Sequence, residues 1–127
     1  MENIKILCDT DVIIEYFKGN QKTKATFEEL QTKEFAISAI TLMELFYGAR
    51  NKRELVKIKK ALKSFDILLI DENITQIAIE LIEKYSKSHG LKIPDALIAT
   101  TAISYKMLLW TYNIKDFRFI AQLRVFS

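Results

Sequence analysis

Acidic residues stand at four points, each just after an expected strand or at the start of a helix that follows one. Asp9 and Asp11 follow Ile4–Cys8, Glu44 lies one turn into the helix expected after Phe35–Ser38, Asp95 opens the most apolar helical stretch, and Asp116 closes Thr111–Asp116 after Met107–Trp110. Carboxylates brought to one edge of a fold repel each other, which raises some of their pKa values unless a cation sits between them. Hard oxygen ligands without His or Cys suit Mg²⁺, with Mn²⁺ able to substitute. Such ions clamp phosphoryl oxygens and supply an activated water, the chemistry of phosphodiester hydrolysis.

The rare residues narrow the choice. One histidine, His89, excludes two-histidine acid–base sites, and one cysteine, Cys8, permits neither an internal disulfide nor a multi-cysteine zinc site. Gly19, Gly48 and Gly90 are too dispersed for a phosphate loop or a dinucleotide turn, and no G-x-S-x-G exists. If the chain is an enzyme, carboxylates do the chemistry. Each acid also has a structural reading. Asp9 or Asp11 would cap a helix beginning near Val12, Thr41 and Glu44 are spaced as a capping box, Asp95 beside Pro94 would complement a helix dipole, and Asp116 would stand at N3 of a turn capped by Asn113. Asp9 closes a buried strand and Asp95 enters an apolar helix, whereas caps are normally exposed.

The elements that must position these acids follow from periodicity. Ile4–Cys8, Phe35–Ser38, Ile67–Ile70 and Met107–Trp110 read as short buried strands, with Leu123–Phe126 as a fifth. Helices are expected over Val12–Lys18, Lys22–Gln31, Thr41–Ala49, the Arg50–Lys63 segment, a stretch marked by Ile74, Ile77, Ala78, Leu81, Ile82 and Tyr85 that Gly90 terminates, and Asp95–Tyr105. Strands alternating with helices, without hairpin signals, indicate a parallel sheet covered on both faces. Such sheets place their sites beyond the carboxyl ends of the strands. The 127 residues suit a single domain, 1–127, large enough for its own core.

Charge is unevenly distributed. The chain carries 19 Lys and Arg against 16 Asp and Glu, a net +3. Arg50–Lys63 alone holds seven cations against Glu54, so the remainder is acidic. A basic helix with Lys57 and Lys60 beside an acidic body suits a phosphate backbone; the alternative is a solvated amphipathic face. The longest charge-free stretch, Ala96–Tyr105, is half the ~20 residues of a membrane span. The expected location is the cytoplasm. Trp110 and Cys8 read as core, and His89 as a helix-end residue.

Four motifs in series resemble the PIN-domain ribonucleases. Cys8-Asp9-Thr10-Asp11-Val12-Ile13-Ile14 is similar to their opening h-D-T-N-h-h-h, Ser38–Ala49 to the second motif with its acid followed by glycine, Ile93–Ala99 to the third, and Leu109–Phe117 to the fourth, T-x-N-x-x-D-F. The closest resemblance is to VapC-type toxins of type II toxin–antitoxin modules. It implies a three-layer α/β/α sandwich with a short central parallel sheet of four to five strands, Mg²⁺-dependent cleavage of RNA, a homodimer, and a cognate antitoxin whose C-terminal segment occupies the active-site groove. It further implies Asp9 and Asp95 as principal metal ligands, Glu44 completing an acidic triad, and Thr111, Asn113 and Asp116 as the fourth corner, with Thr111 and Asn113 available to RNA. Two positions depart from the pattern: Asp11 stands where the family more often has Asn, and Asn113 where it often has an acid. Two other readings are a PIN-like RNA-binding or scaffold protein without catalysis, and a haloacid-dehalogenase-type phosphatase using Asp9 as nucleophile. The latter lacks Thr or Val at Ile13 and a late G-D-x-x-x-D pair.

Overall fold

The computed structural model describes residues 5–31 and 33–126. Four parallel strands, β1 (Lys5–Cys8), β2 (Glu34–Ser38), β3 (Asp66–Leu68) and β4 (Leu108–Trp110), form one sheet in the order β3-β2-β1-β4. Helices α1 (Thr10–Phe17) and α2 (Gln21–Glu29) connect β1 to β2. Helices α3 (Ala39–Tyr47) and α4 (Lys52–Ala61) connect β2 to β3, and α5 (Glu72–His89) and α6 (Ile93–Ser104) connect β3 to β4. Ile4, expected to begin the first strand, lies outside the described residues.

The two-residue period of the strands sorts the core into two layers. Leu7, Ala36 and Leu109 face Ala78 and Leu81 of α5 and Ala96, Ile98, Ala99 and Ala102 of α6. Ile6, Cys8, Ile37 and Trp110 point the other way, onto Val12 and Ile13 of α1, Leu45 of α3 and Leu62. Phe27 of α2 fills this second layer, with its ring 4.7–4.8 Å from those of Tyr16, Phe35 and Trp110. Small residues along α6 allow it to lie close to both the sheet and α5. The result is the expected three-layer sandwich, at the four-strand end of the expected range.

Helix starts deviate from the expectation in an informative way. Ser38 rather than Thr41 caps α3, its hydroxyl accepting from the Ile40 N–H at 3.2 Å. The Thr41–Glu44 capping box is therefore not formed, and Thr41 is buried inside the first turns. Asp9 itself caps α1, which consequently begins at Thr10 rather than Val12. The expected stop at Gly90 is present, with φ of 69° in the left-handed region that glycine adopts without strain. Leu123–Phe126 makes one bridge, Leu109 to Val125, in place of a fifth strand. Two hydrogen bonds nonetheless cover that edge, from the Leu109 N–H to Arg124 O and from the Phe126 N–H to Leu109 O.

The chain builds outward from β1 to β2 to β3, then crosses back to place β4 on the other side of β1. Loops leaving β1 and β4 thus diverge, and this reversal is where open α/β sheets bind ligands. Among the described residues, no helix is long and apolar enough to cross a membrane. Leu109, fully buried in the strand that completes the reversal, should be costly to truncate: Leu109→Ala is expected to lower unfolding free energy by about 2–5 kcal/mol in urea titration, with little change in the slope.

Candidate active site

Asp9 occupies the crevice between β1 and β4. Its N–H donates to Trp110 O at 2.9 Å, extending the β1–β4 ladder by one bond. Its side chain turns inward, leaving the residue only 5% exposed. The Thr10 N–H donates to Oδ1 at 2.8 Å and the Thr111 hydroxyl donates to Oδ2 at 2.7 Å. Burial pushes the Asp9 pKa up, the two donors pull it down, and the charge of Glu44 pushes it up again. Thr111 is itself buried, and its oxygen also accepts from the Asn113 N–H at 3.0 Å. The structure therefore commits Thr111 to holding Asp9 and leaves it no surface to offer RNA.

The other acids surround this anchor. Glu44 is exposed, and its Oε1 accepts from the Thr10 hydroxyl at 2.7 Å, with Thr41 Oγ1 3.0 Å from the same hydroxyl. One threonine thus ties the second acid to the helix that Asp9 caps. Asp95, half-buried in the first turn of α6, is pushed up to about 6 by burial and then by the charges of Asp9, Asp116 and Glu44; Lys92 opposes this in part. Asp116 is exposed in the short 3₁₀ turn Ile114–Asp116. Asn113 precedes that turn but makes no capping bond to it, so the capping reading of the pair is not realised. The Asn113 side chain reaches Asp11 instead. Asp11 is also pushed up to about 6, by burial and by Asp9.

Among the described residues, no cation neutralises this group by direct contact. The ion pairs among the described residues are Lys5–Glu34, Lys18–Glu15 and Arg50–Glu54, and none involves Asp9, Asp11, Glu44, Asp95 or Asp116. The donor set is entirely oxygen and fits a hard divalent ion. Among the described residues, no three His, Cys, Asp or Glu side chains are already gathered into a cage. An open arrangement is compatible with Mg²⁺, which keeps several waters and takes one or two carboxylates together with substrate oxygens. One buried acceptor, Asp11 Oδ1, has no hydrogen-bond partner among the described residues.

Beside Glu44 opens a groove of about 690 Å³ lined by Ile14, Phe17, Arg50, Lys57 and Ile58 among others. Lys57 therefore shares this groove with Glu44, while Lys60, exposed further along α4, does not line it. Reading the sequence alone missed three contributors. Thr10 lies inside the first motif and carried a signal in its position between two acids. The backbone of Tyr112 donates to Asp11, and Thr23 meets the Tyr112 hydroxyl from α2. Neither contact had a local signal, since each joins residues far apart in the chain.

The sequence pattern of the PIN domain matches residues 6–122. Over 118 residues the chain is 39% identical to ribonuclease VapC1 of Methanocaldococcus jannaschii, spanning 91% of this chain and 81% of that protein. It is 29% identical over 130 residues to the tRNA(fMet)-specific endonuclease VapC of Salmonella typhimurium, spanning 96% of each. Among solved structures, the fold is similar to that in VapBC2 from Rickettsia felis bound to a promoter DNA fragment, with TM-score 0.84, 27% identity, and 97% and 98% of the two chains covered. A toxin–antitoxin complex from Klebsiella pneumoniae is similar at TM-score 0.76 and 32% identity, with 93% and 94% covered.

The raised acids give the fold a pH signature. Asp11 and Asp95 ionise near 6 in the folded chain against an ordinary 3.8, so the folded state holds these protons more tightly than the unfolded state does. Their stabilising contribution is complete below pH ~4 and is lost as pH rises through ~6. In chelator, the protein should be more stable at pH 5 than at pH 7.5 by on the order of 1 kcal/mol after solvent screening of these half-exposed groups, and should melt at a correspondingly higher temperature. Asp95→Asn should shrink the difference. Calorimetry showing equal or lower stability at pH 5 would contradict the electrostatic account.

Proposed function

Because the chain belongs to the PIN-domain family and to its VapC ribonucleases, we propose that it is an endoribonuclease toxin whose acidic crevice binds Mg²⁺ and cleaves RNA. In this reading Asp9, Asp95 and Glu44 hold the ion, and Asp116 adds charge on the Asp95 side. The observation that carries it is the concentration of acids acting on one another around Asp9 without an ion-pair partner. Mutual repulsion of this kind is a cost that a divalent cation offsets.

An ion bound there supplies positive charge to the phosphodiester as negative charge develops on it, and acidifies a water. The chain supplies the rest. Thr111 and the Thr10 N–H fix both oxygens of Asp9, so its orientation is set before substrate arrives. Thr10 holds Glu44 at the mouth of the groove. Arg50 and Lys57 line the same groove and would receive RNA phosphates flanking the cleaved bond, with Asn113 and Lys60 further out. The partners of this function are RNA as substrate, a cognate antitoxin that silences the site, and a second copy of the chain, all in the cytoplasm.

Two mutants test the acids. Asp9→Asn and Asp95→Asn keep the shape of the side chain but remove the charge that holds the ion, and each is expected to lower RNA cleavage by at least about 100-fold. Melting of either protein in chelator should be unchanged or raised, since repulsion is relieved. Full cleavage by either purified mutant would overturn the assignment. Lys57→Glu should weaken RNA binding and flatten its salt dependence more than Lys60→Glu does, because only Lys57 lines the groove.

A further inference from the structure

The two positions at which the chain departs from its family pattern face one another. Asn113 Nδ2 donates to Asp11 Oδ2 at 3.0 Å, and the Tyr112 N–H donates to the same oxygen at 3.1 Å. The other oxygen, Oδ1, is buried and accepts no hydrogen bond among the described residues. Leaving a buried acceptor unmatched costs about 1–3 kcal/mol, yet the surroundings do not let this carboxylate turn away. Asp11 sits in the first turn of α1, two residues after Asp9, which caps it. The loop opposite is tied down at three points: Thr111 to Asp9, the Asn113 N–H to Thr111, and the Tyr112 hydroxyl to the buried Thr23 of α2. Two donors on one oxygen therefore hold the carboxylate by that oxygen and leave Oδ1 as the one the loop does not use.

We propose that Asp11 is an additional ion-binding carboxylate of this site, presenting Oδ1 to the divalent cation, and that Asn113 is the positioning residue that aims it. Relative to the family pattern the acid and the amide have exchanged places across a single hydrogen bond, so the charge is retained while its carrier moves from the loop after β4 to the helix after β1. The inference rests on the ion-binding reading above. It differs from a simple structural role, in which Asp11 would merely accept hydrogen bonds from the loop and an Asn in its place would serve equally well.

Isothermal titration of Mn²⁺ into the purified full-length chain separates these possibilities, with Asp9→Asn as the reference for the site as a whole. Asp11→Asn is expected to weaken Mn²⁺ binding by at least about 10-fold while leaving melting in chelator unchanged or higher. The exchanged protein, Asp11→Asn with Asn113→Asp, should recover most of the lost affinity, because the carboxylate returns on the other side of the same hydrogen bond. A merely structural role would not produce that recovery. Wild-type affinity in Asp11→Asn, with affinity lost in Asp9→Asn, would overturn this inference alone. Failure of the exchange to recover any affinity would overturn the pairing of Asp11 with Asn113. Wild-type affinity in Asp9→Asn would overturn the ion-binding reading itself.

Discussion

A carboxylate at the end of a central strand can be buried only if fixed donors replace the water it gives up. At Asp9 those donors come from the two sides of the sheet reversal: the Thr10 N–H after β1 and the Thr111 hydroxyl after β4. The Asp9 N–H to Trp110 O bond locks the two strand ends into register. Much of the site depends on this arrangement. Capping by Asp9 starts α1 at Thr10, which aims the Thr10 hydroxyl at Glu44 and α3. Thr111, held by Asp9, in turn holds Asn113, whose side chain meets Asp11. Moving the Asp9 carboxylate would therefore disturb both Glu44 on α3 and Asp11 on α1.

The architecture was legible because its signals are local. Apolar runs of a few residues between helical periods imply a buried parallel sheet, and the acids fall after strands, at Asp9, Asp11 and Asp116, or in helices, at Glu44 and Asp95. The left-handed Gly90 and the small-residue helix α6 needed no tertiary knowledge. Helix starts were less legible, because a residue qualifies as a cap by spacing alone, and spacing does not say which of several neighbours captures the free N–H. Thr41 and Glu44 have capping-box spacing, yet Ser38 takes the cap and frees Glu44 for Thr10. The pairing of Asp11 with Asn113 spans 102 positions and is visible only once β4 lies beside β1. The family resemblance makes Thr111 available to RNA, whereas its burial and its bond to Asp9, both set by the packing of β4 beside β1, leave it no free surface.

Charge is organised at two scales. At short range the acids repel one another, and in the proposed function a divalent ion would stand between them and an RNA phosphodiester. At longer range α4 supplies the opposite field. It buries no residue fully, and its apolar side rests on Leu55 and Ile58 while its lysines project outward. Such a helix contributes little to the core and is free to carry cations at the rim, where they steer a polyanion toward a negative centre. Glu54, paired with Arg50 at 3.0 Å, keeps one of these cations at the groove edge.

Whether the crevice between β1 and β4 takes a divalent ion decides the proposed function. Crystals soaked in Mn²⁺ and measured at a wavelength where manganese scatters anomalously would locate it directly. A peak within about 2.0–2.3 Å of an Asp9 oxygen, with Asp95 or Glu44 oxygens on the same ion directly or through water, is the predicted result. A crevice with no anomalous peak at saturating Mn²⁺, or manganese bound only at surface carboxylates elsewhere, would contradict it.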